Sequence, residues 1–278
     1  MAIILGLDPD INKIPDAYKS TDGSVDVVNW GKDVIHATSA DIHGIKFQMA
    51  YFEAYGIYGL ETLAALVDAG RSMGLKIVMD GKRGDIGSTS AAYAKAYLNP
   101  KNYVGDNPFF SDFLTINPLM GEDCLLPFIE AAVENNCGLF ILLETSNPGA
   151  EMILKSKLET GSQINEKIAD FIQDIHSNMD LNDGEIGPLG CVIGATNSNT
   201  GHWRKKLPNS LFLMPGIGAQ GGNMDSVKTV MLPNGNGVWV PISRGITHAP
   251  ESLISRLEYK TLVESNAKKY NYAFKSLI

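Results

Sequence analysis

Short apolar runs recur along the chain, and helical patterns fill the gaps between them. The runs lie near residues 3–8, 43–49, 75–80, 112–116, 138–144, 187–194, 211–215 and 237–242. Their length predicts buried strands. Between them, Leu60, Leu63, Ala64 and Val67 share one helical face. So do Thr89, Ala92, Tyr93 and Ala96, and so do Ile164, Ile168 and Ile172. Leu253, Ile254, Leu257 and Leu262 predict a last helix after Pro250, and the polar stretch from Ser177 to Glu185 predicts a loop before the sixth strand. Eight strands alternating with helices predict an α/β chain closed into a parallel (β/α)8 barrel, the TIM-barrel architecture. A doubly wound open sheet satisfies the same alternation. No linker or shift of composition interrupts the pattern, so residues 1–278 are read as a single domain.

Asp8, Lys46, Asp80, Glu144 and Arg244 each sit at or near the C-terminal end of an apolar run. In a barrel those ends meet at one mouth, where active sites form. The densest chemistry lies in Asp80-Gly81-Lys82-Arg83-Gly84-Asp85-Ile86-Gly87-Ser88-Thr89. Two carboxylates and an ammonium fall within six positions there. Such a cluster is costly in a core and rarely serves stability alone. If strand geometry continues that far, Asp80 and Lys82 point the same way. Ile86 is placed to wall a small pocket, and Ser88 or Thr89 is placed to cap the next helix. With Lys46 from a separate strand, the groups form an alternating lysine–aspartate chain able to keep Lys82 charged and fixed. An ordinary charged loop with ion pairs accounts for the same spacing.

Two further segments suit a phosphate. Pro215-Gly216-Ile217-Gly218-Ala219-Gln220-Gly221-Gly222 offers exposed backbone N–H groups plus the neutral donor Gln220. After the eighth run, Arg244 can grip phosphate oxygens bidentately. Barrels commonly bind phosphate with the loops after strands seven and eight. Glu144-Thr145-Ser146-Asn147-Pro148-Gly149-Ala150 follows the fifth run, where Ser146 could read the polar edge of a heterocycle. An Asn-Pro-Gly turn explains that stretch equally well. Neither the dinucleotide fingerprint nor a nucleotide-triphosphate loop is present, and nothing demands NAD or ATP.

The net charge of −8 opposes generic nucleic-acid binding but leaves room for a local positive pocket. Cys124, Cys137 and Cys191 are widely spaced, form no metal-ligand pattern and read as buried free thiols. The N-terminal stretch lacks the basic start of a secretory signal, and no apolar run reaches the ~18 residues of a membrane helix. The expectation is a cytoplasmic protein with neither nucleic-acid nor membrane partners.

The segment Asp80 to Thr89 strongly resembles the signature of the orotidine 5'-phosphate decarboxylase family, in its longer-chain branch. The resemblance extends to Leu7-Asp8-Pro9, Lys46, Glu144 to Ala150, Gly194-Ala195-Thr196, Pro215 to Gly222 and Ser243-Arg244-Gly245, in the family's order. It implies a (β/α)8 barrel acting as a homodimer, with no metal and no organic cofactor. The implied reaction converts orotidine 5'-monophosphate into uridine 5'-monophosphate (UMP) and carbon dioxide, the last step of de novo pyrimidine synthesis. Lys46, Asp80, Lys82 and Asp85 are implied as the catalytic network. Asp8 and Lys46 would hold ribose hydroxyls, Ser146 the pyrimidine edge, and Gln220 and Arg244 the 5'-phosphate. Asp85, Ile86 and Thr89 would enter the partner subunit's site. Two rivals stay open: a metal-dependent sugar-phosphate decarboxylase of a related barrel, and a non-catalytic nucleotide sensor.

Overall fold

The computed structural model describes residues 2–197, 200–217, 221–222, 224–250 and 255–277. Among these, the strands are β1 (Ala2–Leu7), β2 (Gly44–Gln48), β3 (Lys76–Arg83), β4 (Phe113–Ile116), β5 (Gly138–Glu144), β6 (Leu189–Ile193), β7 (Phe212–Leu213) and β8 (Val238–Ile242). They bond in sequence order, and β8 closes back on β1. Neighbouring barrel strands pair in parallel, and a separate short antiparallel hairpin joins Lys101–Asn102 to Gly105–Asp106. Closure excludes the open sheet. Parallel strands covered by helices are buried on both faces, which is why their residues read as unbroken apolar runs. β7 is shorter than the predicted run because Pro215 and Gly216 turn the chain. β3 is longer: it continues to Arg83, so Asp80 and Lys82 lie within the strand, not beyond it.

The long helices are α1 (Val27–Thr38), α2 (Gly56–Ser72), α3 (Gly87–Leu98), α4 (Glu122–Glu134), α5 (Ile164–Ser177), α6 (Thr200–Lys206) and α7 (Arg256–Lys275). Periodicity located them better than it located their faces. In α2 the buried stripe is centred on Leu63, Leu66 and Val67, and Leu60 is exposed. In α3 the buried residues are Ser90, Ala94, Tyr97 and Leu98, so Thr89 and Ala92 of the predicted face point to solvent. The cap of α3 also differs. Ile86 is its N-cap residue and makes no side-chain bond, while Ser90 turns its hydroxyl back to the Asp85 carbonyl. Ser255 caps α7, and its capping box with Glu258 satisfies free N–H groups of the first turn. Leu257 is exposed there, and Leu253 and Ile254 lie outside the described residues. Residues 178–188 form the expected connection before β6.

The chain divides into two compact units, Lys82–Val240 and Ala2–Gly81 with Pro241–Ile278. In the first, Phe113 stacks on Phe140 at 4.8 Å and meets Trp239 edge-on at 4.7 Å. In the second, the Trp30 indole N–H of α1 donates to the Tyr259 hydroxyl of α7 at 2.9 Å, with Tyr18 edge-on to Tyr259. All three cysteines are buried, and none forms a disulfide. No described helix is long and apolar enough to cross a membrane.

Candidate active site

The unit comprising residues 2–81 and 241–278 holds a buried ion pair. Lys46 on β2 donates to the Asp80 carboxylate on β3 at 2.8 Å, and each residue is only 7 % exposed. Lys46 also donates to the Gln48 amide oxygen at 3.0 Å. Burial works against the charge on Lys46, but the carboxylates of Asp80 and Asp8 outweigh it and raise its pKa. Asp8, directly after β1, accepts from the Ser243 hydroxyl at 2.6 Å. Its other oxygen is buried with no hydrogen-bond partner among the described residues.

Arg244 opens the short helix Arg244–Thr247 after β8, and its side chain is exposed. α7 fixes that helix. Tyr259 donates to the Thr247 carbonyl at 2.8 Å and Asn266 to the Ile246 carbonyl at 3.1 Å. Gly245 is needed between them, since a Cβ there would meet the Tyr270 hydroxyl at 2.4 Å.

In the unit 82–240, Lys82 is exposed, with a left-handed backbone at φ 46°. For a residue with a Cβ this conformation costs about 1–2 kcal/mol. The alternation that would align Lys82 with Asp80 therefore stops at Gly81. The Lys82 N–H donates to the Thr115 hydroxyl at 2.9 Å, and the Asn117 N–H donates to the Arg83 carbonyl at 2.8 Å. Asp85 is half-buried and accepts from the Ile86 N–H at 2.8 Å; Ile86 is 60 % exposed, and Thr89 is exposed beside it.

Ser146 is half-buried two residues after β5. Its backbone lies so close to Gly194 that a Cβ there would come within 2.8 Å of the Ser146 Cβ. A register shift between Leu142 and Glu144 ends β5, and such shifts re-aim side chains. Glu144 is buried; it accepts from the Trp203 indole at 2.5 Å and pairs with Lys155 at 3.4 Å. Gln220 lies outside the described residues; beside it, Gly222 donates to the Gly216 carbonyl at 3.0 Å.

The profile of the "Orotidine 5'-phosphate decarboxylase / HUMPS family" matches residues 2–253. The chain belongs to this family. An orotidine 5'-phosphate decarboxylase of Clostridium acetobutylicum is 36 % identical over 247 residues, covering 88 % of this chain and 83 % of that one. One from Rhodopirellula baltica is 34 % identical over 253 residues, with coverage of 88 % and 83 %. A crystal structure from Streptomyces avermitilis, provisionally described as the same enzyme, superposes with a TM-score of 0.80 at 29 % identity, over 98 % of this chain and 91 % of that one.

Against that family background, the structure brings Lys46 and Asp80 into contact and puts Lys82 and Asp85 further along the same segment. Sequence reasoning assigned no contact to Ser243, Gln48, Thr115 or Trp203, which bond Asp8, Lys46, Lys82 and Glu144 respectively. Only Gln48 carried a signal, two positions along β2 from Lys46. Three of the four partners come from distant segments, and neutral polar side chains leave no pattern in the chain.

Proposed function

We propose that the chain decarboxylates orotidine 5'-monophosphate with Lys82 as the acid that protonates pyrimidine C6. As a member of its family it is a carbon–carbon lyase of pyrimidine synthesis, EC 4.1.1.23. The observation that carries the residue assignment is the buried Lys46–Asp80 pair, two positions before Lys82 on β3.

In the step proposed, the C6–carboxylate bond breaks, carbon dioxide leaves and the electron pair stays on C6. An ammonium proton of Lys82 then moves to C6, giving UMP and a neutral amine that regains a proton from solvent. The charge on C6 lies in the ring plane, where no adjacent group accepts it, so a fixed cation beside it lowers the barrier. Asp80, itself held by Lys46, and Asp85 are assigned to orient the lysine. A carboxylate facing the substrate carboxylate adds repulsion relieved on reaction. Two unit charges ~4 Å apart interact by about 4 kcal/mol at an effective dielectric near 20. Enzymes need ~8–23 kcal/mol in all, so preorganisation around Lys82 is the larger share.

Asp8 and Lys46 are assigned to the ribose; the unpartnered buried oxygen of Asp8 suits a hydroxyl donor. Ser146 is assigned to the pyrimidine edge, and Gln220 and Arg244 to the 5'-phosphate. The partner subunit's Asp85, Ile86 and Thr89 complete each site in a homodimer. The exposure of Ile86 and Thr89 is compatible with this, since both side chains are open to a second copy. The route uses no metal or organic cofactor, and the site lies in a single barrel domain of a cytoplasmic enzyme.

The test is to incubate purified protein with orotidine 5'-monophosphate and a strong chelator while following the ultraviolet loss of substrate. Conversion to UMP is expected. Activity that disappears with the chelator would move the assignment to the metal-dependent relative, and tight binding without product to the sensor.

A further inference from the structure

We propose that Thr115 is a positioning residue that fixes the backbone from which Lys82 reaches the reacting carbon. The inference rests on the reading of Lys82 as the proton donor. Lys82 is one of two described non-glycine residues with positive φ; the other, Asn136, follows the end of α4, a common place for an asparagine in that conformation. A lysine has no such local reason. Strained backbone of this type persists only where surrounding structure over-determines it, and it gathers at functional sites.

The over-determination is visible on β4. Thr115 is 1 % exposed, between the fully buried Leu114 and Ile116. A hydroxyl in such surroundings needs partners. It accepts the Lys82 N–H at 2.9 Å, and two residues on, the Asn117 N–H bonds the Arg83 carbonyl at 2.8 Å. The two bonds hold Lys82 and Arg83 against the end of β4. Valine would fill the place of threonine and satisfy the strand equally well. Threonine adds an acceptor that takes the Lys82 N–H. Without it, that N–H loses this partner and the local reason for the left-handed turn goes with it. The Cα–Cβ bond of Lys82 would then swing, and the root of a long side chain would move. A misplacement near 1 Å is enough to cost about 100-fold in rate.

The experiment compares Thr115→Val, Thr115→Ser and Lys82→Ala for kcat, for UMP affinity and for thermal stability. Thr115→Val should lose about 100-fold in kcat while binding UMP nearly as the native protein does. Thr115→Ser, which keeps the hydroxyl, should recover most of that loss. Native-like turnover in Thr115→Val with an inactive Lys82→Ala overturns this inference and leaves Lys82 as the acid. Native-like turnover in Lys82→Ala overturns the reading beneath it. Equal losses of kcat and UMP affinity in both threonine variants would show a merely structural residue and also overturn the inference. If Thr115→Val does not fold, amide hydrogen exchange of the native protein decides. The Lys82 N–H should exchange slowly, and exchange at the open-chain rate contradicts the clamp.

Discussion

A single lysine shows how charge is managed in this chain. Lys46 is buried, which should strip its proton, yet its pKa rises because Asp80 and Asp8 face it. The pair with Asp80 is more an orienting device than a source of stability, since buried pairs roughly repay their own desolvation. Arg244 is the opposite case: exposed, at the start of a short helix that α7 holds through the carbonyls of Thr247 and Ile246. On its proposed assignment to the 5'-phosphate, its loss should be felt through that group. Arg244→Ala should lower kcat/KM for orotidine 5'-monophosphate by on the order of 10- to 100-fold. The dephosphorylated nucleoside should lose nothing, and an equal loss for both substrates would remove Arg244 from the phosphate site. At this scale the pairing of Lys46 with Asp80 was legible, because two opposite charges stand near the ends of neighbouring apolar runs. Ser243 and Trp203 were not, because each lies about 60 residues or more from the carboxylate it serves and resembles ordinary packing.

Elements were legible where length and hydrophobicity agreed. All eight apolar runs became strands, because a strand covered on both faces admits little else. The helix faces were harder. In α3 small residues lie all round, so periodicity could not distinguish the buried Ala94 from the exposed Ala92. The junction of α5 with β6 holds a titratable group no pattern announced. His176 is buried, and its Nε2 accepts the Leu189 N–H at 3.2 Å. The neutral ring thus carries its proton on Nδ1, which has no hydrogen-bond partner among the described residues. A second proton would break the bond to Leu189. Burial lowers the pKa from 6.5 to about 4. The unfolded chain then binds the proton more readily than the folded one, so this group's contribution is complete above pH 6.5 and is lost as pH falls towards 4. Denaturant melts across that window should show falling stability, and His176→Gln should flatten the slope. An unchanged slope would mean that other groups set the acid limit.

The whole molecule carries a net charge of −8, which repels an anionic substrate at long range. Recognition then calls for local cations, and Lys46, Lys82 and Arg244 are the ones proposed for it. The barrel itself was legible from the alternation of elements, but the strained φ of Lys82 was not, since nothing in a lysine announces it. The central claim is that Lys82 performs the proton transfer in a site finished by the partner subunit's Asp85. Turnover of orotidine 5'-monophosphate by Lys82→Ala, by Asp85→Ala and by the two mixed and allowed to exchange subunits tests it most directly. Each variant alone should be nearly inactive. The mixture should recover about a quarter of native activity, because half of randomly formed dimers hold one intact site of two. Near-native turnover by Lys82→Ala alone, or no recovery in a mixture shown to contain heterodimers, would contradict the account.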